Sequence, residues 1–573
     1  MGWDHNISET LERRGITLVQ IDGRKRRLAY NTFSSLLFQV TTIICGFILP
    51  RLILTAFGSD VNGLVNSITQ FLGIISFLEL GVGAVVQSSL YKPLAEHDED
   101  QVSRVIKSAN RFFRIIARIL LVYVVFLVIF YPMFAKQQFG HAYTATLIIV
   151  ISISSFAQYY FGIVNRLLLT ADQHGYVQYN AQTVAIILNT VACFILIKLG
   201  CGIQMVKLTT SLIYLLQPIV IYLYVRKHYH INHKITYAEE PIKQKWNGIA
   251  QHVASVILDG TDIVVLTMFA SLSAVSIYSV YFLVVKGVKQ LFLSMTNGIQ
   301  SLMGELWANG EEKELKDLFG WTEWMIHTGT IFVFGVATIT IVPFVQVYTK
   351  GIMDADYVQP LFSFLLVMAN AGHCLRLPYN LMILAAGHFK QTQNNYIVAA
   401  VLNIVISILA VKHYGLIGVA IGTLIAMGYQ TVWMALYDSK NLIKWPFKNF
   451  LKQVVVDALT LVFMVVMTNM IQMATVNYAA WALYAVIVSI ASVMVVIVVN
   501  MVFYKTNTER ILKGVTGMVS RWLDLAAFRT SGGGQERSNI RFSIKYFSNC
   551  NRWMCGAAED LYHERQVCIC LLG

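Results

Sequence analysis

WNGIAQHVASVILDGTDIVVLTMFA (residues 246–270) and SIYSVYFLVVKGVKQLFLSMTNGIQSLMGE (residues 276–305) read as two long apolar helices, yet the first carries Asp259 and Asp262 and the second Lys286 and Lys289. All four charges sit in mid-span. A charge at the centre of a membrane helix costs roughly 2.5–3.5 kcal/mol on insertion scales, so together they cost about 10–14 kcal/mol before any compensation. A folded domain has only about 5–15 kcal/mol of net stability. Something inside the protein must therefore solvate or pair these groups, and the expectation is a cavity shared by several helices.

The rest of the chain supports a membrane setting. Of 573 residues 56% are hydrophobic and 13% charged, and mean hydropathy is +0.59; soluble domains carry about 25% charged residues. The net charge of +13 is no sign of nucleic-acid binding, because Lys and Arg cluster between apolar runs, as in loops that face anionic lipid. Taking about 20 apolar residues per crossing gives about fourteen spans, among them 32–55, 64–90, 247–270 and 478–504. Arg24, Lys25, Arg26, Arg27, Lys92, Arg104, Lys107, Arg111, Arg226 and Lys227 fall in one set of alternate loops, whereas the other set holds only Lys136, Lys198, Lys207, Lys350 and Lys412. Both termini are expected in the cytoplasm. The outer loops are short, which argues against a membrane-embedded glycan-modifying enzyme, and no Gly-x4-Gly-Lys-Ser/Thr run is present to cradle a nucleotide. The expectation is a non-enzyme without cofactor or metal.

The sequence repeats at a spacing near 212 residues. Ser89, Leu90, Leu94 and Glu99 align with Ser301, Leu302, Leu306 and Glu311; Pro132 answers Pro343; His174, Asn180, Asn189 and Lys198 answer His388, Asn394, Asn403 and Lys412. This predicts an all-α polytopic protein of two pseudo-symmetric six-helix lobes, 30–230 and 246–440, plus two helices in 441–504. A cytoplasmic segment 1–29, a linker 231–245 and a cytoplasmic tail 505–573 complete the division. An even number of spans per lobe gives both the same orientation, with the repeat axis along the membrane normal.

The membrane-embedded polar groups are the candidate site. Lys286, Lys289, Arg51, Arg376 and Arg166 form a set of cations suited to a diphosphate, which is held best by several convergent donors. Asp259, Asp262 and Glu79 are candidates for taking up a coupling proton or sodium ion. His252, Ser255, Asp259 and Asp262 share one helical face, and Asn370, His373 and Arg376 lie close together on the tenth span. The alternative is that the Asp and Lys pairs neutralise one another in helix packing, and that Arg51 and Arg166 reach the interface from span ends. No metal-ligand spacing is present.

FGSDVNGLVNSITQFLGIISFLELGVGAVVQSSLYKPLAEHD (residues 57–98) and TDIVVLTMFASLSAVSIYSVYFLV (residues 261–284) resemble the Wzx or PST-type oligosaccharide flippases of the multidrug/oligosaccharidyl-lipid/polysaccharide (MOP) superfamily. The likeness covers about residues 28–505. It implies alternating access that moves an undecaprenyl-diphosphate-linked oligosaccharide from the inner to the outer leaflet of the bacterial cytoplasmic membrane, with ion coupling. It also implies polysaccharide polymerase and glycosyltransferases as working partners. A MATE-like drug or metabolite exporter and a lipid II flippase are the alternatives. After Tyr504 the hydropathy collapses: residues 505–528 can form a basic amphipathic helix on the inner leaflet, SGGGQERSN reads as a flexible break, and Cys550, Cys555, Cys568 and Cys570 lack C-x2-C spacing.

Overall fold

The computed structural model describes residues 18–134, 139–232, 234–237, 239–242 and 249–530. The expected N-terminal segment as far as residue 17 and the tail beyond 530 lie outside the described residues. In chain order the helices are α1 (Leu18–Gly73), α2 (Phe77–Ala95), α3 (Glu99–Phe134), α4 (His141–Ala157), α5 (Ile163–Ala171), α6 (Gly175–Lys198), α7 (Ile203–His228), α8 (Ile249–Phe269) and α9 (Leu272–Asn309). They continue with α10 (Glu312–Tyr348), α11 (Pro360–Leu375), α12 (Leu377–Ala385), α13 (Phe389–Tyr414), α14 (Leu416–Asn441), α15 (Phe447–Thr468), α16 (Tyr478–Phe503) and α17 (Lys505–Thr530). No strand occurs among the described residues.

Twelve helical stretches among the described residues are long and apolar enough to cross a membrane. Fourteen were expected, and the difference lies at two places. The second expected span is divided between the end of α1, a 3-10 turn at Ile74–Ser76 and α2. The seventh is α8, of which Gly260–Phe269 counts as a shorter apolar helix. The lipid-facing surface is written on single helix faces: α3 exposes Ile119, Val122, Phe126, Ile129 and Met133, and α16 exposes Leu483, Ile490, Met494, Val498 and Val502. Such stripes would be unfavourable in water and fit a hydrocarbon surround.

The internal repeat has a structural counterpart. Helices α3 and α10 are 36 and 37 residues long, begin with acids (Glu99 and Asp100; Glu312 and Glu314), and contain Pro132 and Pro343. Acids in a first turn oppose the partial positive charge of the helix start. Positive φ recurs at the repeat spacing, at His97 and Gly310 and again at Gln173 and Gly387.

The chain divides into two compact units: residues 1–287, 341–369 and 389–430 form unit 1, and residues 288–340, 370–388 and 431–573 form unit 2. Unit 1 is centred on Leu64, Ile68, Val86, Leu90, Phe113, Leu120, Tyr131, Leu147 and Leu168. Unit 2 buries Tyr379 in ring contact with both Phe319 and Phe450, with Phe334 and Met464 also inside.

Two polar fastenings in unit 1 connect distant parts of the chain. In α1 the backbone turns at Gly58, with φ 81° and ψ 177°, a region open essentially to glycine alone. There Asp354 receives the Ser59 amide and hydroxyl, each at 2.6 Å, and Tyr357 meets Ser59 at 2.8 Å and Ser276 at 2.9 Å. A Cβ on residue 58 would stand 2.8 Å from Asp354 Oδ2. At a second point, Asp172 accepts from the Tyr229 hydroxyl at 2.6 Å and lies 3.1 Å from His174 Nδ1. Burial works against the ionised Asp172, but the His174 and Tyr229 hydrogen bonds and the charges of His174 and Arg27 outweigh it and hold this carboxyl below its usual range.

Gly58→Ala is expected to lose about 1–3 kcal/mol through strain at this φ and ψ, measured by thermal unfolding in detergent; an unchanged midpoint would contradict the role given to the turn. Asp172 has a lowered folded pKa, so its contribution is full above the ordinary carboxylate value of about 3.9 and is lost as pH falls through the folded value. Asp172→Asn should therefore be less stable than the parent at neutral pH, with the gap closing below about pH 4.

Candidate functional site

In unit 2 the interruption between α11 and α12 creates a cationic group. Pro378 has no amide hydrogen to continue the ladder and its ring crowds the preceding turn, so one helix ends at Leu375 and the next starts at Leu377. Arg376 stands at the break, 6% exposed, and its Nη2 donates to His373 Nδ1 at 2.8 Å. That geometry makes the imidazole an acceptor at Nδ1, hence neutral. Lys289 of α9 is 7% exposed and acts electrostatically on His373 and Cys374 together with Arg376. Asn370 is buried one turn before His373. Two buried cations beside a neutral ring favour an anionic guest with several oxygens.

In unit 1 the acid Asp262 of α8 is 3% exposed. It accepts from the Tyr278 hydroxyl at 2.9 Å, and the Thr423 hydroxyl lies 2.9 Å from each carboxylate oxygen. Asn403 Nδ2 donates to that same hydroxyl at 2.9 Å. Small residues permit this arrangement. Gly418 and Gly422 on α14 face the backbone of α13, where a Cβ at 422 would strike Ser407 and one at 418 would strike Ala410. Their four-residue spacing lets two membrane helices approach closely, and Thr423, next to Gly422, is thereby brought to Asn403. Tyr278 of α9 and Thr423 of α14 meet this α8 carboxylate directly and Asn403 of α13 reaches it through the Thr423 hydroxyl, an environment suited to a proton or a small hard cation.

Arg166 also belongs to unit 1. Between α4 and α5 the helix widens into one π turn, Gln158–Gly162, a feature that recurs at functional sites. Beside it lies a cavity of about 210 Å³ lined by Ser154, Ser155, Gln158, Arg166, Tyr214 and Gln217, among others. Arg51 donates weakly to the Val347 carbonyl at 3.4 Å and lies 5.7 Å from the Tyr348 ring centre. Lys286 is exposed. The side chains of Glu79, Asp259, His252 and Ser255 lie outside the described residues.

Of the expected cations, then, Lys289 and Arg376 come together, while Arg166 and Arg51 occupy separate settings within unit 1. Sequence reading missed Thr423 and Tyr278, and noted Asn403 only as a repeat match. The available signal for Thr423 was its place directly after a Gly-x3-Gly pair in an apolar helix.

No family model and no curated protein matches the sequence. Solved structures do match. A lipid II flippase MurJ in an inward closed conformation aligns with TM-score 0.63 at 15% identity, over 82% of this chain and 99% of that one. An inward-facing multidrug resistance MATE family transporter of the MOP superfamily gives 0.57 at 14% identity, over 70% and 95%. The eukaryotic MATE transporter AtDTX14 gives 0.53 at 11%, over 76% and 98%. The chain thus has the fold of MOP-type transporters and is a multi-pass membrane protein.

Thr423→Val, which keeps the shape and deletes the hydroxyl, is expected to destabilise the protein by about 1–3 kcal/mol by withdrawing a partner from a buried acid. Combined with Asp262→Asn, the two losses should be less than additive by at least about 0.5 kcal/mol. Strict additivity in thermal unfolding would separate the two residues.

Proposed function

We propose that this protein flips an undecaprenyl-diphosphate-linked oligosaccharide from the inner to the outer leaflet of the bacterial cytoplasmic membrane by alternating access, driven by ion movement. The observation that carries this reading is the burial of two cations, Lys289 and Arg376, that both act on His373, within a fold shared with MurJ along almost all of that chain. In this reading the two cations engage the diphosphate, and Lys286, Arg51 and Arg166 assist along the headgroup path. The glycan follows the phosphates while the lipid tail stays in the bilayer. Uptake of the coupling proton or sodium ion is assigned to Asp262 and its ring of Tyr278, Thr423 and Asn403, with Asp259 and Glu79 as further acids. The lobes 30–230 and 246–440 are the moving bodies, and a polymerase and glycosyltransferases act before and after on the same lipid-linked chain.

A second cargo, lipid II itself, is favoured by the MurJ likeness. It has the same diphosphate requirement and differs in the sugar.

The test is a vesicle flipping assay with a lipid-diphosphate oligosaccharide, run in parallel with lipid II. Lys289→Ala and Arg376→Ala are each expected to reduce flipping about 10- to 100-fold at equal expression, the loss associated with one charged hydrogen bond of about 1.5–3 kcal/mol. Lys286→Ala, at an exposed position, should reduce it less. Unchanged flipping in assembled Lys289→Ala and Arg376→Ala would remove the diphosphate role from this pair.

A further inference from the structure

Unit 2 contains a second buried acidic group that shares no residue with the Asp262 constellation. Glu323 and His327 lie on successive turns of α10, Tyr379 on α12, Asp438 on α14 and Asp457 on α15; each is 5% exposed or less. His327 Nδ1 is 2.6 Å from Asp457 Oδ2, and Gln453 Nε2 donates to Asp457 Oδ1 at 3.1 Å. Glu323 accepts from the Tyr379 hydroxyl at 2.6 Å and from the Trp445 indole at 2.9 Å. Asp438 differs from both. It is 1% exposed, neither carboxylate oxygen has a hydrogen-bond partner among the described residues, the Glu323 charge acts on it, and its own charge acts on Tyr379.

The charges do not balance if all three acids are ionised. A protonated His327 offsets Asp457 and leaves two carboxylates within electrostatic reach of each other. Glu323, with a donor on each oxygen, is built as the ionised member, because a carboxylate only accepts. Asp438, without a donor among the described residues and beside that negative charge, is held in its neutral form. Two like acids in unequal settings divide the roles of base and acid between them.

A route to solvent ends at Glu323. It and Gln453 form the inner wall of a pocket of about 800 Å³ whose outer wall carries the exposed residues Asp317, Lys452, Arg510 and Lys513. Other charged or titratable groups at the pocket are Glu509 and Tyr504. Lys452 is turned toward the α16 terminus, donating to the Phe503 carbonyl at 3.1 Å, and Arg510 lies 5.1 Å from the Trp321 ring.

We propose that Glu323 and Asp438 form a proton-binding site filled from this pocket, with Glu323 as the relay and Asp438 as the residence of one exchangeable proton. The proton comes from solvent, forms an O–H bond on an Asp438 oxygen and returns by the same route; no electron moves.

The test is infrared difference spectroscopy of the full chain in lipid nanodiscs as pH is raised, read in the protonated-carboxyl stretch. The intact protein should lose one carboxylic-acid band on deprotonation. Asp438→Asn should lack that band, and Glu323→Gln, by removing a neighbouring negative charge, should move its titration midpoint to lower pH. If Asp438→Asn fails to assemble, Trp445→Phe keeps all three acids and withdraws one donor from the Glu323 carboxylate, which should raise the midpoint of the pair. A band that persists unchanged in Asp438→Asn, or midpoints that stay put in both Glu323→Gln and Trp445→Phe, would overturn the proposal. So would loss of the band on adding sodium at fixed pH, which would make the ligand a metal cation.

Discussion

Hydrocarbon offers no hydrogen bonds, so a polar side chain on a crossing helix must find its partners on other helices or carry no charge. This constraint explains why the described polar residues of the protein cluster as they do. Asp262 meets hydroxyls from α9 and α14, Glu323 meets donors from α12 and from the segment before α15, and Asp457 meets His327. Apart from the Asp262–Tyr278 bond between neighbouring helices, these contacts tie parts of the chain far apart in sequence. The helix breaks obey the same logic: the Arg376 interruption and the π turn after α4 are places where departures from the regular ladder coincide with polar side chains that need room.

Much of the architecture could be read directly from residue patterns. Apolar runs located most of the crossings, and Pro132 with Pro343 announced the repeat that α3 and α10 embody. The break expected between the first two crossings, at residues 55–64, falls at Gly58, but what holds it was not legible. Gly58 makes its turn without the polar loop that usually divides two spans, because Asp354 and Tyr357 satisfy the backbone and hydroxyl groups from far along the chain. Local sequence holds no trace of such a distant partner.

The candidate site was legible in its charges and obscure in its neutral members. Lys289, Arg376 and Asp262 stand out because charge is costly in an apolar run. Thr423, Asn403 and Tyr278 carry no charge, and only the close approach of α13 and α14 brings two of them into place. Lys286 and Lys289 show the limit of reasoning from helical spacing: three residues apart on one helix, one is exposed and the other buried, because a face has edges and a neighbouring helix covers only part of it. Glu323, His327 and Asp457 escaped notice for another reason. Each lies near charged or aromatic residues at the end of a span, where a polar side chain looks like ordinary interface.

The Ser59–Asp354 fastening has a consequence for how the protein is made. Its partners are separated by 295 positions, and unit 1 is assembled from three stretches that end only at residue 430. Synthesis runs from the N-terminus at about 5–20 residues per second, so the bend at Gly58 must wait roughly 15–60 s before its fastening can form. During that interval the Ser59 hydroxyl and amide and the Asn62 amide depend on water, lipid headgroups or the insertion machinery, and the order of translation itself becomes part of the folding pathway.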